Sequence, residues 1–296
     1  MFRDAQGRTG AVAARLARGA QLAAVTAGAR QPELIVVHCG RGNEVSGLFS
    51  EVAAVIGVLD HCERWAGCYR GVRVEFLDGL YHDARHGPNW WTYYFEPIDR
   101  PAAGTTHVVN SHFHDLCANR VEREMPRQRA AAIVSRHIRL APDVRALVDE
   151  YVAAHWAGRP VVGVHYRGTD KWEDAPPVPF DHVERAVRDR MAALGGEPLV
   201  FVATDEQSFV DFMRARFAGR LRCREMFRST DGRPIDVFNT DGNYQKGLDA
   251  VVDCALLARS HTLVRTASNL SLCATFFNAA MPDFPLNRER LARHPV

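Results

Sequence analysis

Through the second half of the chain, short unbroken apolar runs alternate with segments of helical period, and few architectures accept that pattern. The runs are "PVVGVHYRG", "PLVFVATD", "LRCREMF" and "HTLVRT", and helical spacing covers residues 180–194, 206–218, 246–259 and 268–280, with 228–244 irregular. Strands that carry no polar alternation are buried on both faces, and strands joined through helices run parallel, so this half reads as a doubly wound α/β sheet. The first half begins the same way. "ELIVVHCGRGNEVSGLFSEVAAVIGVLDHCERWAG" passes from a strand through a glycine corner to a helix carrying Val45, Leu48, Phe49, Val52, Val55, Ile56 and Leu59 on one face. "GVRVEFLDG" then returns as a second strand, completing a parallel crossover. Residues 115–157 turn helical, with Pro126 and Pro142 where helices start.

A chain of 296 residues exceeds what one compact core comfortably holds, so we expect two Rossmann-like lobes, residues 1–157 and 158–296, facing a cleft. With 47% hydrophobic and 24% charged residues the composition is that of a soluble globular protein. The net charge of +2 provides no global field for nucleic acid or an anionic membrane, so any anion site must be local. Cys39, Cys62, Cys68, Cys117, Cys223, Cys254 and Cys273 lack the paired spacing of a disulfide framework or zinc knuckle and read as reduced core residues. Arginines interrupt every apolar run in the first thirty residues, leaving neither a signal-peptide core nor a transmembrane segment. A cytoplasmic location is the expectation.

Ligands of open α/β sheets bind beyond the carboxyl ends of the strands, and polar clusters follow Val37, Val164, Val202 and Val264. After Val164 come His165, Arg167, Gly168, Thr169, Asp170 and Lys171. A guanidinium at Arg167 can grip phosphate bidentately without losing its proton, and His165 points to the same side of the strand. Gly168 allows close backbone approach, while Thr169, Asp170 and Lys171 fix the turn or touch the ligand. Thr204 and Asp205 end the next strand, where Asp205 either caps a helix or bonds a base or sugar edge. Thr266, Ser268 and Asn269 stand where another helix begins, a seat for an anion or a plain N-cap. Asp253 lies among Val251, Val252, Leu256 and Leu257, and a carboxylate on that face needs Arg167 or a ligand hydroxyl as its partner unless it faces solvent.

In the first half, Gly40, Arg41, Gly42 and Asn43 match neither the dinucleotide fingerprint nor the Walker pattern; they either wrap a phosphate or sugar or form a tight turn. "LYHDARHGPNWWTYYFEPI" has no single period. Its aromatics suit a sugar ring or base, or a plug between lobes, and Trp90 and Trp91 are the expected cleft-facing pair. His112 and His114 near Asp115 lack a third metal ligand.

"VGVHYRGTDK", "VFVATDEQSF" and "GLDAVVDCALLARSHTLVRTASNLS" occur in the order and approximate spacing of GDP-fucose-dependent fucosyltransferases, and most resemble the α-1,6 branch that includes the rhizobial nodulation enzymes. The resemblance spans about 120 residues of the second half. It implies a two-lobed GT-B fold, a donor-binding second lobe facing an acceptor-side first lobe, and inverting transfer of fucose from GDP-fucose to a hydroxyl of a glycan or glycosylated small molecule. It also implies no metal cofactor, and the chain contains no Asp-x-Asp. By the resemblance, Arg167 contacts the donor pyrophosphate, His165 positions the donor, Asp253 holds the guanine edge, Ser268 and Asn269 hold phosphate, and Asp205 sits near the nucleoside. Gly168 stands where eukaryotic members usually carry a second arginine. Glu173 or Asp174 is the expected catalytic base, with Glu44 in reserve. The rivals are the same fold with another GDP-hexose donor and a non-catalytic sugar-nucleotide or glycan-binding module.

Overall fold

The computed structural model describes residues 33–38, 47–64, 69–99, 106–110, 125–169, 175–235 and 242–288. In the first half, β1 (Glu33–His38), α1 (Leu48–Arg64), β2 (Tyr69–Val74), the short α2 (Trp91–Tyr94), β3 (Thr106–Asn110), α3 (Arg127–His137) and α4 (Pro142–His155) follow in order. The second half runs β4 (Val161–Tyr166), α5 (Phe180–Leu194), β5 (Leu199–Thr204), α6 (Gln207–Arg216), β6 (Leu221–Arg222), α7 (Asn243–Arg259), β7 (Thr262–Arg265), α8 (Asn269–Phe277) and β8 (Asp283–Pro285).

Both sheets are parallel, ordered β2-β1-β3 and β6-β5-β4-β7-β8. The second order places the reversal of winding between β4 and β7, where the loops diverge and leave a crevice. Strand alternation partitions its core. Val162, Val164, Val200 and Val202 pack with Val183 and Val187 of α5 and Phe209, Val210 and Met213 of α6. Val161, Leu199, Phe201 and Leu263 face the opposite way, onto Val144 and Val148 of α4 and Val251, Leu256 and Leu257 of α7. That double burial is why these strands read as continuous apolar runs.

The second of these clusters does not stop at the expected lobe boundary. It continues through Cys273, Ala274 and Phe276 of α8 into Val52, Val55 and Ile56 of α1 and Ile35, Val37, Val72 and Val74 of the first sheet. Arg127 at the start of α3 adds a polar tie across the same seam, bonding the carbonyls of Thr275, Asn278 and Met281 and, at 2.7 Å, the carboxylate of Asp283.

The aromatic stretch belongs to this core. Trp90 and Trp91, expected at the cleft, are 1% and 0% exposed. Their polar edges are satisfied internally, Trp90 Nε1 donating to the Asp78 carbonyl at 2.9 Å and Trp91 Nε1 to that of Glu96 at 3.1 Å. Asn89 pins the segment to the end of β2 by accepting from Phe76 N and Trp91 N and donating to the Val74 carbonyl. The run then docks on α7. Tyr94 donates to the Tyr244 carbonyl at 2.9 Å, His86 stacks on Tyr244 with centroids 3.6 Å apart, and Gly247 lets the Tyr94 ring lie where a Cβ would otherwise collide with it. The aromatics therefore plug the seam between the sheets, the other role open to them in the sequence.

Candidate donor site at the switch point

Arg167 leaves the carboxyl end of β4 beside the crevice between β4 and β7, fixed at both backbone and side chain. Its N–H donates to Thr266 Oγ1 at 2.9 Å, across the switch point. Its Nε lies 3.1 Å from Asp205 Oδ2, at the end of β5, and its side chain remains 21% exposed. Asp205 also accepts from Thr169 Oγ1 at 2.7 Å and from Gly168 N at 3.4 Å. One carboxylate thus orients the guanidinium and closes the turn that carries it. It does not cap the following helix: α6 starts at Gln207, behind Glu206, which makes no side-chain cap bond. Thr204 Oγ1 accepts from Glu206 N at 3.2 Å, shaping the same corner.

Gly168 is required by close packing here. A Cβ at that position would meet the Glu206 carboxylate and the Tyr166 ring, so a second arginine could not enter unless Glu206 moved.

His165 is 4% exposed, and its Nδ1 has no partner among the described residues. Burial, aided by the neighbouring Arg167 and Arg265 cations, pushes its pKa down to about 3, so the ring is neutral at ordinary pH.

At the start of α8, Ser268 is the N-cap and accepts from Leu270 N at 3.3 Å. Asn269 Nδ2 donates to Ser50 Oγ in the first turn of α1 at 2.8 Å. The positive ends of two helices, one from each half, therefore meet beside the switch point.

Asp253 has a different partner from the expected one. Arg224, not Arg167, bonds its Oδ1 at 3.3 Å, while also bonding Asp249 Oδ1 at 2.8 Å and the Asp249 carbonyl at 3.0 Å. Burial raises the Asp253 pKa to about 6; Asp249 pushes the same way, against Arg224 and Arg228. Arg224 and Arg228 escaped the sequence reading because nothing distinguishes them among 37 basic residues. Their separation of four, at the middle and just past the end of the apolar run "LRCREMF", was the available signal.

Gly40, Arg41, Gly42, Asn43 and Glu44, together with Asp170, Lys171, Glu173 and Asp174, lie outside the described residues, as do His112, His114 and Asp115. Among the described residues no group of three His, Cys, Asp or Glu is placed to hold a metal ion, and no helix is long and apolar enough to cross a membrane.

Solved structures of fucosyltransferases share this fold. Fucosyltransferase NodZ from Bradyrhizobium superposes with a TM-score of 0.59 at 18% identity, over 84% of this chain and 94% of that one. NodZ α-1,6-fucosyltransferase soaked with GDP-fucose gives 0.58 at 18% identity, over 83% and 92%. The chain has the GT-B fold. An Arabidopsis thaliana FUT1 variant in complex with GDP lies further off, at 0.50 and 12% identity over 87% of this chain and 71% of that one. No protein-family model matches the chain, and no curated protein matches it in sequence. Arg167, Thr266, Ser268 and Asn269 thus gather at the switch point of the second sheet, and Ser50 of α1 reaches Asn269 from the first half.

Proposed function

We propose that the protein is an inverting, metal-independent glycosyltransferase that transfers fucose from GDP-fucose to a hydroxyl of a glycan or glycosylated small molecule. The observation that carries this reading is Arg167, held through Thr266 and Asp205 at the crevice where the sheet reverses, in a fold shared with proteins solved with GDP and GDP-fucose.

In the proposed reaction an acceptor oxygen attacks C1 of fucose as the bond from C1 to the β-phosphate oxygen breaks, and GDP departs with the bonding electrons. Arg167 offsets the charge that builds on that oxygen, the role a divalent cation fills elsewhere. Because Asp205 already orients the guanidinium, little reorganisation accompanies the charge shift. The acceptor proton passes to Glu173 or Asp174, or to Glu44 from the other side of the cleft. His165, neutral, braces the donor. Asp253 takes the N1–H and N2–H of guanine. No disulfide joins the described cysteines Cys62, Cys223, Cys254 and Cys273 to one another, which suits a reducing, cytoplasmic setting.

Thermal unfolding tests the donor. GDP at about 100 times its Kd should stabilise the protein by about 2.7 kcal/mol, and UDP at the same concentration should give no shift. Equal shifts with both nucleotides would remove the guanine assignment.

The state of Asp253 makes affinity depend on pH. Its raised pKa means that it is ionised above about 6 and protonated below, and a protonated carboxyl cannot accept both guanine donors. GDP-fucose, whose esterified phosphates do not titrate there, should bind progressively more weakly from pH 7 to pH 5 in calorimetry. Asp253→Asn should bind weakly and with a flat profile. His165, with its pKa near 3, contributes nothing to this limb. A wild-type affinity unchanged down to pH 5 would remove Asp253 from the base site.

A further inference from the structure

Beyond β6 the chain continues alongside the end of β5. Ser229 N donates to the Asp205 carbonyl at 2.8 Å and Gln207 N donates to the Ser229 carbonyl at 2.9 Å, so residues 223–229 form a shoulder on the carboxyl side of the sheet. This shoulder turns Arg224 and Arg228 towards α7 and leaves Phe227 60% exposed. Arg224 is fully engaged by Asp249 and Asp253. Arg228 is not.

The Arg228 side chain lies in a residue only 8% exposed, and its one recorded bond is from Nη2 to the Arg224 carbonyl at 2.7 Å. Its Nε has no partner among the described residues. A buried guanidinium with donors in excess calls for an acceptor, because an unsatisfied buried donor is costly. Asp253 is close enough to feel its charge, yet that carboxylate is bonded by Arg224 instead.

A carboxylate and a donor-rich guanidinium, both tied to Arg224, match one edge of one base. Guanine presents N1–H and N2–H as donors next to O6 and N7 as acceptors, whereas adenine reverses the pattern at position 6. The placement agrees. With Arg167 at the end of β4 and the shoulder extending β6, two strand spacings of about 4.8 Å separate them, comparable with the reach of a nucleoside from diphosphate to base.

We propose that Arg228 is a specificity residue that donates to O6 of guanine while Asp253 accepts from N1–H and N2–H. The assignment rests on the GDP reading above. It gives the site a second reason to reject other nucleotides: a base without an acceptor at position 6 leaves the Arg228 donors unmatched.

Calorimetry with GDP, 6-thio-GDP and IDP tests it. Sulfur is a poor acceptor at position 6, and IDP keeps O6 but lacks the 2-amino group that Asp253 reads. The unmodified protein should bind GDP about tenfold more tightly than 6-thio-GDP, the value of one charge-assisted hydrogen bond. Arg228→Met, which keeps the apolar stem and removes the donors, should bind the two within twofold while still preferring GDP to IDP. A wild-type protein that binds GDP and 6-thio-GDP equally, or an Arg228→Met protein that still separates them tenfold, overturns the assignment and leaves the donor reading standing. A wild-type protein that binds no GDP removes both.

Discussion

Arg167→Ala should slow fucosyl transfer by about a thousandfold, the scale of losing one preorganised group at a developing oxyanion in a water-poor site. The loss should fall mainly on kcat. The diphosphate is negative before and after transfer, but the charge on the bridging oxygen appears only as the bond to C1 breaks, so an interaction aimed at that oxygen counts most in the transition state. Removing the guanidinium also takes from Asp205 its cationic partner, although its bonds from Thr169 and Gly168 should keep the turn in place. Two controls separate chemistry from folding. Arg167→Lys preserves the charge but not the planar fork that meets Asp205 through Nε, and should recover only part of the rate. Millimolar guanidinium added to Arg167→Ala should restore measurable turnover, which a misfolded loop would not allow. An alanine variant within tenfold of wild type would place the catalytic electrostatics elsewhere.

Trp91→Ala should be the most damaging single change to stability, costing about 3–5 kcal/mol, on the order of 10 °C in melting temperature. The side chain is fully buried, stacks on Phe95 with centroids 4.6 Å apart and packs edge-on against Phe76 at 5.7 Å. Its removal opens a cavity that the neighbouring rings cannot fill and leaves the Glu96 carbonyl without its indole donor. Differential scanning calorimetry reads the effect directly. A variant melting within 2 °C of wild type would mean that the stretch is peripheral, as cleft-lining residues would be.

The parallel strands of the second half were readable because both faces are buried, so composition alone declared them. Helices α7 and α8 were placed to within three residues, since their apolar faces are long, α7 stops at Ser260 and α8 starts from the Ser268 cap. The weaker parts share a cause: their structure is decided by residues distant in sequence. "LRCREMF" reads as a full strand but pairs only over Leu221–Arg222, because Arg224 turns aside to the carboxylates of α7. Edge strand β8, three residues long, is too short to declare itself. Trp90 and Trp91 resemble a sugar platform in sequence, and only their indole bonds to backbone carbonyls show that they are inward-facing. At the site, Arg167, Thr266 and Asp205 could be nominated from their position after strands, which is a local property. That Asp205 would serve Arg167 rather than α6, and that Asp253 would pair with Arg224, depended on which strands lie side by side.

The shared core also bears on how such a fold can be built or altered. Leu248, Val251 and Val252 of α7 and Cys273 and Phe276 of α8 lie in one buried cluster with Val52, Val55 and Ile56 of α1, so neither half has a finished surface of its own. The second half is thus not an exchangeable cassette. Variation would have to arise in the loops around the crevice, because replacing the first half wholesale would strip away the α1 side chains on which α7 and α8 pack.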